Sequence, residues 1–316
     1  VALTTNQVVA LSTAQISTLS TTNVAALTTN QVAAIETADI AALKTSQVVA
    51  LSTDQIGKLS ATQVGAMNAA QVAAIETDDL ALMTATEVAA FSTAAVANLT
   101  TDQVAALNTD QVSALTTAQV KALTTAQMKA LSSEQVAQLT TAQVNALSGV
   151  QVAALDAGDL ANLTTTQVQS LTTAAVAAMT TSQVSTLNTA QAAGLTTAQV
   201  RALTTAQVVA LTTTQAEKLG TAQLAALTAD QVKSLETADL AKLSTAQLRA
   251  ISTAAMAGLT TTQITALTTE QVSNLTDAQI KALSADQAKG LAVDDLAKLT
   301  TTQIQSLSNA SLTALS

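Results

Sequence analysis

The sequence repeats every eight residues, and that period limits the folds open to it before any other property is considered. Stepping by eight from Leu3, all 40 positions through Leu315 are large apolar residues. They are Leu except at Ile35, Met67, Ile75, Met83, Phe91, Met179 and Ile251. The consensus octad is L-T-T-A-Q-V-A-A. Its sixth position is Val, Ile, Leu or Met in 36 of 39 complete octads, and its fifth is Gln in 28 and Asp or Glu in 6 more.

Three conformations can repeat every eight residues. In one continuous α-helix, at about 100° per residue, each octad would leave a remainder of about 80°, so the apolar stripe would spiral into water. In a strand, positions one and six have opposite parity and would lie on opposite faces. The octad is also rich in Gln and Ala, poor strand formers, and has no regular Gly, Asn or Asp to turn the corners of a β-solenoid, which remains the alternative fold. One short helix per octad fits best. Ser, Thr, Asn or Asp stands at position two in 33 of 39 octads, three residues before the Gln, which is the spacing of a capping box. Leu before the cap and Val after the Gln then form a hydrophobic staple.

Charge placement supports the same phase. Of 21 acidic residues, 20 lie at positions two to five, and of 12 basic residues, 11 lie at positions seven or eight. This is the polarity that a helix dipole favours. Five of the eight Gly residues also lie at positions seven or eight, where a helix end would favour them. The helices so defined have fewer than two turns, too short to form alone, so successive octads must stack on a common core. The expected architecture is all-α, a single continuous solenoid of very short helices over residues 1–316, about 39 octads from Leu3.

A longer period lies over the octads. Acidic units recur at Glu76 to Asp79, Asp156 to Asp159 and Glu236 to Asp239, 80 residues apart, with a related unit at Glu36 to Asp39. Duplication of a ten-octad block accounts for this; alignment of the acidic units on one side of the superhelix is the alternative. The clusters are the only candidate chemical sites. Glu76, Asp78, Asp79, Asp156, Asp159, Glu236, Asp239, Asp294 and Asp295 are weak candidates for calcium ligation, because none has the spacing of a calcium-binding loop. Helix capping accounts for them without a metal, and no cofactor is expected. The Gln column has two readings, a capping box or a ladder between repeats, and capping already explains its spacing. Exposed Thr could form a functional array, but capping explains these residues as well.

Composition narrows function. The chain has no Cys, His, Trp, Tyr or Pro and one Phe, which removes imidazole and thiolate chemistry and the aromatic walls of a sugar cleft. An enzyme is not expected. A net charge of −9 has the wrong sign for nucleic acid, and no apolar run approaches a membrane span, so membrane insertion is not expected either. Val1 opens no basic and apolar leader, so any export signal is expected to be absent, removed or outside this stretch.

The segment from Leu203 to Leu211 is similar to the first helix of TAL-effector repeats, but there is no 34-residue period and no base-reading pair, so DNA recognition does not carry over. Throughout its octads the chain resembles the L-T-T-A-Q-V-A-A-L tracts of large secreted or surface-exposed bacterial proteins. That resemblance implies an extracellular or cell-surface location and a structural role: a self-assembling filament or sheath subunit, or a stalk segment. The expected partners are copies of itself, end to end or side by side, or neighbouring segments of a longer chain. A binding solenoid for peptide or glycan and a Thr-array ice-binding protein are the alternatives.

Overall fold

A computed structural model describes residues 3–315. Among them are 39 short α-helices, from α1 (Thr5–Val9) to α39 (Asn309–Ala314), one per octad, and no strand. The all-α solenoid expected from the capping pattern is the observed fold.

The octad from Leu115 shows why each helix begins and ends where it does. Thr116 is extended, with φ −68° and ψ 157°, and caps α15 (Thr117–Ala122). Its hydroxyl accepts the Gln119 amide N–H at 3.2 Å, while Gln119 Oε1 accepts the Thr116 N–H at 2.7 Å. Two donors that a helix start leaves without partners are satisfied within one octad. At the other end Leu123 turns back to extended geometry, with φ −60° and ψ 133°, and its N–H closes on the Val120 carbonyl at 3.2 Å. Two consecutive extended residues, the Leu and the next cap, then swing the chain into the following helix.

The helices end without left-handed residues: among the described residues no Gly and no other residue has a positive φ. The Gly residues at positions seven and eight do lie at helix ends, but none of them ends its helix by a left-handed turn. Gly194, Gly258 and Gly290, all at position eight, instead lie against the preceding coil. A Cβ on Gly258 would come within 3.0 Å of the Ala229 carbonyl oxygen and 3.1 Å of the Ala229 Cβ. A Cβ on Gly194 would collide with the Thr165 methyl. Small residues at position eight let position three of the coil before approach closely.

Contacts set the size of the coil. Within each of the two compact units into which the chain divides, helices pack on the third before and the third after, as α15 does on α12 (Thr93–Ala97) and on α18 (Thr141–Ala146). Positions one and six form the core: Leu115 is 4 % exposed and Val120 fully buried, and the same pattern runs from Ile35 to Leu291, while Leu3 and Leu312 are exposed. Positions two to four and seven face outward.

The chain divides into two compact units, one up to Asn162 and one from Leu163. The same architecture is found within each. In the first, Gln119 lies on the coil 28 to 31 residues earlier, and in the second Gln231 does the same. One turn therefore takes between three and four octads.

Candidate functional site

The most regular chemical feature is buried. The Gln at position five is placed by the capping box so that its side chain lies along the seam between coils, and from Gln31 onward most of these residues are under 10 % exposed. While Oε1 accepts the N-cap N–H of its own octad, Nε2 donates across the seam. Gln119 Nε2 reaches the carbonyl oxygens of Val88 at 3.3 Å, Ala89 at 3.2 Å and Phe91 at 2.7 Å. Gln231 Nε2 reaches those of Val200 at 3.0 Å, Arg201 at 3.3 Å and Leu203 at 2.7 Å. The column is a capping box and an inter-coil ladder at once. Spacing within one octad favours the capping reading over the ladder, although the sequence does contain a signal for the ladder. A capping box accepts Glu as readily as Gln, and the near absence of Glu at this position, found only as Glu87, marks a requirement for an N–H donor.

The acidic octads break this column. Glu36, Glu76, Asp156 and Glu236 stand at N-cap positions and make no side-chain cap hydrogen bond. The expectation that capping accounts for these acidic units fails at the cap residue itself: the side chains are exposed to solvent. Asp39, Asp79, Asp159 and Asp239 occupy position five and are buried, at 2, 7, 5 and 1 % exposure. Asp159 accepts the Ser133 hydroxyl at 2.6 Å. Neither carboxyl oxygen of Asp239 has a hydrogen-bond partner. Burial raises the Asp239 carboxyl above the usual carboxylate range. Glu236 adds to this, while the Thr213 hydroxyl leans the other way without closing a hydrogen bond to either oxygen. Burial, reinforced by Glu36, raises Asp39 in the same direction. Asp295 differs: the cap position of its octad is Ala292, and its Oδ2 accepts the Ala292 N–H at 2.9 Å.

Of the calcium candidates, the structure places Glu76, Asp78, Asp156, Glu236 and Asp294 at the surface and Asp79, Asp159, Asp239 and Asp295 in the seam. Among the described residues no group of three or more acidic side chains is disposed to hold a metal ion. Glu76 and Asp78 instead line an open groove of about 370 Å³ with Asp102 of the next coil. A groove of about 330 Å³ at the corresponding place in the second unit is lined by Arg249, Asp277 and Gln303.

The octad, its capped helix and its ladder Gln define a repeat that is itself recognisable. Residues 1–29, 32–69, 72–109, 103–125, 112–149, 125–157, 152–189, 185–213 and 232–269 match the ALTTAQ repeat, and together these stretches cover most of the chain. The chain belongs to the ALTTAQ repeat family. No curated protein matches it. In the ALTTAQ octad the Thr is the cap, the Gln is the rung and the Leu supplies both core and acceptor carbonyl, so the repeat unit is also the unit of coil-to-coil bonding.

Proposed function

We propose that this ALTTAQ repeat chain is an architectural protein of a bacterial surface: a stalk segment or filament subunit that is exported and associates with copies of itself or with neighbouring segments of a longer chain. One observation carries the proposal. The ladder acceptors are backbone carbonyls, present in every octad whatever its side chains. A coil therefore docks on any other coil of the same pitch, and the contact that joins octads within a unit can be repeated between chains as a heterologous, non-closing interface. The chain performs no catalysis in this reading; its work is geometric. Negative-stain microscopy and sedimentation over a concentration series test it. Fibres or a concentration-dependent mass are expected, and a monodisperse particle at every concentration would remove self-association and leave a spacer. Cell fractionation with an antibody tests the surface location.

The grooves favour a second reading, a binding solenoid. They recur at equivalent octad positions but differ in chemistry, acidic at Glu76, Asp78 and Asp102 and mixed at Arg249 and Asp277. A glycan or peptide array would separate the two readings: a specific hit abolished by neutralising one groove supports the binding module. For the ice-binding reading the position-two Thr hydroxyls already accept helix N–H groups, and thermal hysteresis is its direct test.

A further inference from the structure

Asp239 stands where the column requires a hydrogen-bond donor. On either side of it, Gln231 donates to the Leu203 carbonyl and Gln247 to the Leu219 carbonyl, both at 2.7 Å and both 28 residues earlier. The equivalent acceptor for Asp239 is the Leu211 carbonyl, and for Asp39 it is that of Leu11. An ionised carboxylate has only acceptors to offer, and both Asp239 oxygens are buried without a partner. A shorter side chain can nevertheless close this rung through an O–H: Ser311, at position five of its octad, donates its hydroxyl to the Leu283 carbonyl at 3.0 Å, again 28 residues back.

We infer that Asp239 and Asp39 are acid-responsive rungs: protonated, each carboxyl donates its O–H to the carbonyl of the coil before, and ionised, each leaves its rung open. The proton comes from solvent and no covalent step is involved.

The surroundings offer no cation to hold these carboxyls ionised. Asp239 lies on α30 (Thr237–Lys242), which packs on α27 (Thr213–Lys218) and α33 (Thr261–Thr265). On α27 the titratable groups are Glu217 and Lys218, which face water and lie 3.9 Å from each other, and α33 has none. Glu236 at the cap is a like charge, and Lys242 of the same helix is exposed. Asp39 lies on α5 (Thr37–Ala42), between α2 (Thr13–Thr18) and α8 (Ala61–Gly65), neither of which has a titratable side chain, and its own cap is Glu36. The raised carboxyls described above fit this setting. The sign follows: a carboxyl whose proton affinity is higher folded than unfolded adds stability below the unfolded value and loses it as pH rises through the folded value.

The test compares the wild-type chain with the double substitution Asp39→Gln and Asp239→Gln, which installs the usual rung. Thermal midpoints are read by circular dichroism from about pH 7 to about pH 5. The wild type is expected to gain a few degrees on acidification beyond any change in the variant, and the variant to melt higher than the wild type at neutral pH. Equal pH dependence in both chains overturns the inference. Carbon-13 titration of the wild-type Asp carboxyls, assigned with the single substitutions, gives an independent readout should the variant fold poorly. Two carboxyls titrating above the ordinary range are expected, and titration of Asp39 and Asp239 at or below that range overturns it.

Discussion

At the level of single residues, the fold rests on a division of labour between the cap hydroxyl and the amide three residues later. Thr116 contributes one acceptor to its helix start, so Thr116→Ala should destabilise by about 0.5–2 kcal/mol and Thr116→Ser much less, measured by urea denaturation. Gln119 does two jobs, and substitutions can separate them. Gln119→Glu keeps the acceptor for the Thr116 N–H and removes the donor to Phe91 and Val88, leaving a buried carboxylate among carbonyl oxygens. Gln119→Ala removes both jobs without adding charge and should cost about 1–3 kcal/mol. The Glu variant is expected to be the less stable of the two at neutral pH, with the gap closing in acid as the carboxyl gains a proton. Paired denaturation curves at two pH values would check this.

Between elements, the close approach of one coil to the next at Gly194, Gly258 and Gly290 uses the space that a missing side chain leaves. Gly258 and Gly158 make a matched pair. At Gly258 an added methyl meets the Ala229 carbonyl of the coil before, whereas at Gly158, exposed on α20 (Ala157–Ala161), it meets nothing within 4 Å. Gly258→Ala should therefore destabilise by about 1–3 kcal/mol through overpacking. Gly158→Ala should stabilise by about 0.5–1 kcal/mol by lowering the entropy of the unfolded chain. Opposite shifts in thermal midpoint from the same chemical change would show that coil approach, rather than helix propensity, excludes a side chain at position 258.

Over each unit, order comes from core burial and the ladder rather than from charge. Among the described residues the ion pairs are Lys218 with Glu217 and Lys289 with Asp286, both at the surface, where such pairs contribute little. The net charge of −9 is spread along the chain and opposes both compaction and association. Added salt screens that repulsion without breaking any structural ion pair. The thermal midpoint is therefore expected to hold or rise between about 0.05 and about 0.5 M sodium chloride, with association increasing in parallel. A midpoint that falls with salt would mean that attractive charge contacts hold the coils together.

How much of this could be read from the residues follows from which forces are local. The helices, their phase and their caps were legible, because a capping box closes within four residues and Leu and Val mark its staple wherever the octad recurs. The burial of positions one and six followed from the same pattern. The double role of Gln119 was not legible in the same way. Its second set of partners lies 28 to 31 residues back, a distance fixed by the number of octads per turn, and that number depends on the angle at which each helix follows the last. The same dependence hid the character of the acidic octads. On sequence Asp239 and Glu236 are two helix-start carboxylates of one kind; in the fold one faces water and the other is sealed in the seam. One capped helix per octad, and the two residues each must bury, can be read from the chain alone, since both are set by contacts within a single repeat. The pitch of the coil, the ladder and the burial of the Asp rungs belong to the folded molecule, because they arise between residues that become neighbours only after the chain has completed a turn.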